Sequence, residues 1–394
     1  MDEAPRRLVI LGSTGSIGVQ TLDVVERLAQ AGEVFDVVGL AAGRRLDRLG
    51  EQIAVWRPQA VSVAEESGAA SLREKFPEVE VLAGDDGLCA LCRLEDVSVV
   101  VNALVGAVGL IPTLEALTLG RAVALANKES LVIGGELVVA AMERGGGRLI
   151  PIDSEHNALA QCLRAGSQGE VRHLILTASG GPFLRTTPSV LDTVTPRDAL
   201  AHPTWAMGAR ITVDSATMVN KAFEVIEAHF LFGIPYDRID VLVHPGSTVH
   251  SLVEYRDGSF VAELASPDMR IPIQYALIEP RRVDTGLTRL DLGTLSELRF
   301  EPLDPQRFPA FGTVLTAADR GGSAPAAVNA ADEVLVSRFL AEEIPFTGIS
   351  EGLARMLELW DAERDEVTPE TPPTLASLLC VDAWARDTAQ RMAF

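Results

Sequence analysis

The stretch IPIDSEHNAL, residues 150–159, carries an apolar run straight into Asp153, Ser154 and Glu155. In extended chain, residues i and i+2 point to the same side, so the sequence predicts that both carboxylates face one place. Carboxylates held together repel unless one is protonated or a cation sits between them. A third acid stands further on, in DSATMVNKAFEVIEAHFLFG, residues 214–233. There Glu224 follows Lys221 by three positions and shares its helical face, with Ser215 and Asn220 nearer the start. Together Asp153, Glu155 and Glu224 form an oxygen-rich set suited to Mg2+ or Mn2+. The hydroxyl, amide and ammonium groups of Ser215, Asn220 and Lys221 suit a phosphate. On spacing alone, a Lys221–Glu224 surface pair worth a few tenths of a kcal/mol is an equal reading.

A second chemistry lies at the amino terminus. The strand LVILG, residues 8–12, leads into GSTGSIG with Gly12, Gly15 and Gly18, and then into a helix. Strand, glycine-rich turn and helix N-terminus, in that order, suit a dinucleotide pyrophosphate; a plain tight turn is the simpler alternative. An NAD-binding chain usually places an acid about 20 residues past the glycines, for the ribose hydroxyls. Here the second strand ends in LAAGRR, with Gly43, Arg44 and Arg45 and no acid. Guanidinium groups attract a 2′-phosphate that a carboxylate would repel, so NADPH is expected over NADH unless the arginines only line a solvated loop.

Other polar breaks end apolar runs. ALANKES sets Asn127, Lys128 and Glu129 at a strand end, and TASGGPF sets Ser179 before two glycines. HPTWAMG, residues 202–208, places Trp205 and Met207 between Pro203 and Gly208, as a lid that excludes water would require or as ordinary burial would. His244 and His250 read as structural, and Cys89 and Cys92 as core thiols one helical turn apart.

These residues need elements to hold them. Runs at 8–12, 36–42, 97–100 and 123–127 read as strands that alternate with helices, one closing at Gly32 and another running from Pro112 to Gly120. That alternation predicts a Rossmann-like, doubly wound parallel sheet over residues 1–150. From 151 to 290 the texture is α+β: a strand at 173–179, one long helix at 214–233, and VHSLVEY and SFVAELA joined at Arg256-Asp257-Gly258 as a hairpin. Residues 291–312 read as a linker and 313–394 as a small C-terminal helical domain. The expected class is thus α/β, with an α+β catalytic domain and a helical C-terminus.

Composition narrows the partners. A net charge of −21, from 34 basic and 55 acidic residues, argues against a general nucleic-acid or anionic-membrane binder. No apolar run reaches the ~18 residues of a membrane span, and the acidic start lacks a secretory signal. Four cysteines in 394 residues make no disulfide framework, so a cytoplasmic protein is expected.

Read in order, GSTGSIG, ALANKESLV, PIDSEHNA, LTASGGPF, HPTWAMG, DSATMVNKAFEVIEA and HPGSTVHSLVEYRDGS resemble the 1-deoxy-D-xylulose 5-phosphate reductoisomerase family of the non-mevalonate isoprenoid pathway. The resemblance implies conversion of 1-deoxy-D-xylulose 5-phosphate to 2-C-methyl-D-erythritol 4-phosphate, with NADPH and a divalent metal, by a homodimer. It implies that Asp153, Glu155 and Glu224 ligate the metal. It implies that Ser179, Ser215, Asn220 and Lys221, with His202 close by, meet the substrate's phosphate, and that Lys128, Ser154 and Glu155 approach its hydroxyketone end. Cofactor contacts are implied for Thr14, Gly15, Ser16, Ile17, Gly43, Arg44, Arg45, Asn127, Glu129 and Gly208, with Trp205 and Met207 as the apolar cover of the lid. Two residues depart from the family pattern. Thr204 stands where an Asn is expected after His-Pro, and Arg45 stands where a neutral amide is common.

Overall fold

In the computed structural model, which describes residues 5–205, 207–367 and 372–394, short β-branched runs form two sheets. The first is wholly parallel. Its strands are β1 (Arg6–Leu11), β2 (Phe35–Ala42), β3 (Ala60–Val63), β4 (Glu80–Ala83), β5 (Val97–Asn102), β6 (Ala122–Leu125) and β7 (Arg148–Pro151), in the order β4-β3-β2-β1-β5-β6-β7. Strand β1 is buried from Leu8 to Leu11, and β5 from Val99 to Asn102. Side chains buried on both sheet faces are what a helix-covered parallel sheet needs. The chain leaves β1 towards β2 on one side, and β5 takes the other. The ligand crevice of such a sheet opens at this reversal, beyond the carboxyl ends of β1 and β5.

The helix Ser16–Gln30 shows how sequence makes one covering element. Thr21, Leu22, Val24, Val25 and Leu28 are its buried stripe, the spacing of an amphipathic helix. Gly32, at φ +90°, lies just beyond its end. Cys89 and Cys92 lie buried on the helix Gly84–Cys92 as free thiols, and burial pushes the Cys92 thiol up to about 12. Both belong to the core.

Two compact units are drawn by contacts along the chain. The first takes residues through Ser130, Glu136–Asn157 and Asp268–Arg289; the second takes Leu131–Gly135, Ala158–Pro267 and Leu290–Phe394. The helix Arg270–Ile278 sits in the first unit because Ile273, Ala276, Leu277 and Ile278 join the core around Leu8, Leu22 and Val25.

The second unit carries a mixed sheet of β8 (Val171–Ala178), β9 (Ile239–Val243), β10 (Val249–Tyr255), β11 (Phe260–Leu264) and β12 (Glu301–Pro302), ordered β11-β10-β8-β9-β12. β10 and β11 form the expected antiparallel hairpin. Four helices follow, at Pro309–Arg320, Ala324–Leu340, Phe346–Val367 and Leu375–Arg391.

Two sequence expectations differ here. The single helix over 214–233 is two helices, Ala209–Thr217 and Val219–Phe232, broken at Met218 in the left-handed region, φ +64°. The Thr217 hydroxyl donates to the Asp214 carbonyl at 3.2 Å and accepts from the Val219 amide at 3.3 Å, which fixes the break. The stretch 291–312 is more than a linker, because β12 pairs with β9 and the next helix already starts at Pro309.

Candidate functional site

In the first unit the glycine-rich turn leaves β1 and enters the helix Ser16–Gln30, with Gly15 at its N-cap. Gly12 sits at φ +84°, and a Cβ there would run into the Ala103 carbonyl that follows β5. Only glycine suits that position. Thr14 is buried, and Ser16 and Ile17 open the helix, whose first amides have no intrahelical acceptor and attract anions. Gly43, Arg44 and Arg45 are exposed beyond β2. Arg45 donates to the Thr14 carbonyl at 3.1 Å, which ties the second strand's loop to the glycine turn.

Asn127 and Glu129 also hold the loop that follows β5. The Asn127 amide donates to the Leu104 and Gly106 carbonyls at 3.0 Å and to Glu129 at 2.9 Å, and its oxygen accepts the Ser130 amide at 3.1 Å. Glu129 in turn accepts the Gly106 amide at 3.1 Å. The Asn127 side chain is fully buried and engaged in holding the loop after β5. Its sequence position beside the crevice hid this structural work.

The opening carboxylates are arranged by a helix start. β7 ends at Pro151 and the helix Ser154–Cys162 begins three residues later. Asp153 is its cap: the carbonyl accepts the Asn157 amide at 2.8 Å and the carboxylate accepts the Ser154 amide at 3.0 Å. Glu155 lies in the first turn and accepts the Ser154 hydroxyl at 2.5 Å. The i, i+2 rule of extended chain therefore does not apply. Two other effects offset the repulsion: the helix N-terminus, and Lys128, which is buried and ion-paired with Asp153. Carboxylate oxygens, which only accept, are the ligand type a hard divalent cation takes.

In the second unit Ser179 follows β8 and opens a turn through Gly180 and Gly181, at φ +86° and +67°. A Cβ on Gly181 would lie 2.6 Å from the Ser215 carbonyl, so the turn lies directly on the helix Ala209–Thr217. The Ser179 hydroxyl is 3.0 Å from His202 Nε2. His202 Nδ1 accepts the Thr204 and Trp205 amides at 3.1 and 2.9 Å, an arrangement that assigns the remaining proton to Nε2. Burial lowers the His202 pKa, which agrees with a neutral ring. Thr204 contributes a backbone amide to this cluster, so its departure from the family residue leaves the contact intact.

The Lys221–Glu224 pair exists, and it is no surface pair. Lys221 is 4% exposed and Glu224 1%; Asn220 also donates to Glu224, at 2.6 Å. Breaking such a buried pair costs far more than a few tenths of a kcal/mol. Because Met218 restarts the helix, Asn220 and Lys221 occupy the first turn of Val219–Phe232. Trp205 and Met207 are half-buried in the loop before Gly208, which is exposed and caps the next helix, and the Trp205 ring lies 6.1 Å from His250.

Sequence reasoning passed over Gln52 and the Arg210 cluster. Gln52 stands on the buried stripe between Leu49 and Ile53, and an amide among apolar neighbours was the available signal. Arg210 contacts Asp214, Asp332 and Glu333 at 3.5, 3.5 and 3.1 Å, and Asp332 and Glu333 lie too far along the sequence from Arg210 and Asp214 for the cluster to announce itself.

Three family models match almost the whole chain: 1-deoxy-D-xylulose 5-phosphate reductoisomerase over residues 8–135, its C-terminal domain over 149–232, and the DXP reductoisomerase C-terminal domain over 264–388. A relative from Anaeromyxobacter sp. (strain K) named 1-deoxy-D-xylulose 5-phosphate reductoisomerase is 52% identical over 354 residues, 90% of each chain. The chain belongs to this family. A second reductoisomerase relative, from Chlorobium phaeobacteroides (strain BS1), is 46% identical over 98% of this chain and 99% of its own. A crystal structure of DOX-P reductoisomerase with NADPH, fosmidomycin and magnesium has a TM-score of 0.91 at 37% identity, covering 98% of this chain and 97% of that one. The reductoisomerase from Zymomonas mobilis with NADPH has a TM-score of 0.89 at 40% identity, covering 98% of both chains.

Proposed function

We propose that the chain catalyses the metal-dependent rearrangement and NADPH-dependent reduction of 1-deoxy-D-xylulose 5-phosphate to 2-C-methyl-D-erythritol 4-phosphate. Family membership along nearly the full length supports the reaction, and so do the related structures with NADPH and magnesium. Within the chain, the observation that carries the reading is Glu224, a carboxylate buried to 1% and held by Lys221 and Asn220. An acid in that position is costly for a phosphate site alone and is accounted for by a cation.

Asp153, Glu155 and Glu224 would hold the divalent metal, Mg2+ or Mn2+. When bound, the metal polarises the substrate carbonyl and offsets alkoxide charge, and NADPH supplies the hydride. Ser179, Ser215, Asn220 and Lys221 receive the phosphate, with the neutral His202 donating from Nε2. Lys128, beside Asp153, faces the hydroxyketone end with Ser154, where its ammonium offsets developing oxyanion charge. The turn at Thr14–Ile17 receives the cofactor's pyrophosphate, and Gly43, Arg44, Glu129 and Gly208 line its course. Trp205 and Met207 cover the site and exclude water. The four free thiols agree with a cytoplasmic setting, and the family resemblance supports a homodimer.

The test is product identity. Incubation with substrate, NADPH and Mg2+ should give the branched tetritol phosphate by NMR. An unbranched reduced pentulose phosphate would leave a simple reductase and remove the need for three metal ligands.

A further inference from the structure

Three successive carbonyls of the glycine turn have partners. The Gly12 carbonyl accepts the Gly15 amide at 3.0 Å, the Ser13 carbonyl accepts Gln52 Nε2 at 2.9 Å, and the Thr14 carbonyl accepts Arg45 Nη1 at 3.1 Å. Gln52 grips Ser13 twice, since the Ser13 hydroxyl donates to its Oε1 at 2.7 Å. Ser13 is fully buried and Gln52 is 8% exposed, so this grip lies behind the turn. A trans peptide is planar, with its N–H and C=O pointing oppositely. Holding the Ser13 carbonyl towards Gln52 therefore turns the Thr14 N–H the other way, to join the first helical amides of Ser16 and Ile17. A run of aimed amides at a helix start is an anion site.

We propose that Gln52 and Arg45 are positioning residues for the pyrophosphate turn, so that Arg45 serves NADPH and NADH alike while Arg44 alone reads the 2′-phosphate. The inference rests on the cofactor assignment above and changes the role expected of Arg45. A second arginine in the loop after β2 reads as a second 2′-phosphate ligand from sequence. In the structure its guanidinium is directed to the backbone of the glycine turn, which both cofactors need. Arg44 shares the loop and remains for the phosphate that distinguishes them.

Dissociation constants for NADPH and NADH, measured by calorimetry on the full-length protein, test this. Gln52→Met and Arg45→Gln should each weaken both cofactors about tenfold, as loss of one or two hydrogen bonds allows, and leave the NADH-to-NADPH ratio unchanged. Arg44→Gln should weaken NADPH by about tenfold or more while sparing NADH. Gln52→Glu keeps an acceptor for the Ser13 hydroxyl but sets a second acceptor against the Ser13 carbonyl, so a loss at least as large and equal for both cofactors is expected; thermal melts verify folding. If Arg45→Gln lowers the ratio as Arg44→Gln does, Arg45 is a 2′-phosphate ligand and the inference fails. It also fails if folded Gln52 variants bind both cofactors as wild type does. A wild-type protein that binds neither cofactor would overturn the cofactor assignment itself.

Discussion

Glu224 concentrates the chemistry of the second unit, because one buried carboxylate is shared by an ammonium and an amide. Replacing it by Gln keeps the size and removes the charge. Glu224→Gln should reduce turnover below detection while the NADPH dissociation constant, read by calorimetry, stays within about twofold. A comparable loss of cofactor binding would put Glu224 in the wrong site. The residue types were legible in the sequence because a Lys–Glu pair at i, i+3 in a helix is a local fact. Burial was not local. The same spacing describes a solvated pair; here Val219, Ala222, Phe223 and Val225 are buried along with Lys221 and Glu224, so the first half of the helix is enclosed and the charge is expensive. Asn127 shows the converse: its place at a strand end pointed to the crevice, while its hydrogen bonds hold the neighbouring loop.

At the scale of elements, the proposed phosphate site depends on two backbone devices, the turn at Gly180–Gly181 and the break at Met218. Gly181 is at φ +67° with the Ser215 carbonyl 2.6 Å from where a Cβ would lie. Gly181→Ala should push the turn off the helix Ala209–Thr217. Its KM for the phosphorylated substrate should rise by about tenfold or more while NADPH affinity holds. An unchanged KM would mean that the turn does not serve the phosphate. The glycines were legible as a turn, but the Met218 break was not. Apolar periodicity runs through it, and a left-handed methionine costs roughly 1–2 kcal/mol that burial to 2% exposure helps to offset. Similarly, the strand-to-helix change at Pro151–Ser154 turned an extended-chain argument about Asp153 and Glu155 into one about a helix cap.

Across the whole molecule, the parallel sheet was the most legible part, since alternation of short apolar strands with helices is written along the chain. The return of Asp268–Arg289 to that unit was not, because Ile273 and Leu277 look like any apolar helix until their neighbours are known. The C-terminal helices carry a further test. Asp332 on Ala324–Leu340 is fully buried and faces Arg210 and Asp214 from the helix Ala209–Thr217, with Glu333 beside it. Arg386 reaches Glu333 at 2.8 Å and Asp382 at 2.7 Å. Burial pushes the Asp332 carboxyl up to about 6, against the pull of Arg210. The folded protein therefore holds this proton more tightly than the unfolded chain. The resulting stabilisation is complete below about pH 4 and is lost as pH rises through about 6. Asp332→Asn should accordingly gain more in thermal midpoint over wild type at pH 8 than at pH 5. An equal difference at both values would remove Asp332 as the titrating group.

The central claim joins a metal to a hydride transfer, and one measurement reaches both. Metal-stripped protein is mixed with NADPH and 1-deoxy-D-xylulose 5-phosphate, and absorbance at the nicotinamide band is followed before and after adding Mg2+ or Mn2+. The account predicts no oxidation without metal and steady oxidation once it is added. Oxidation at the same rate in both conditions, or in neither while NADPH binds and the fold is intact, would contradict it.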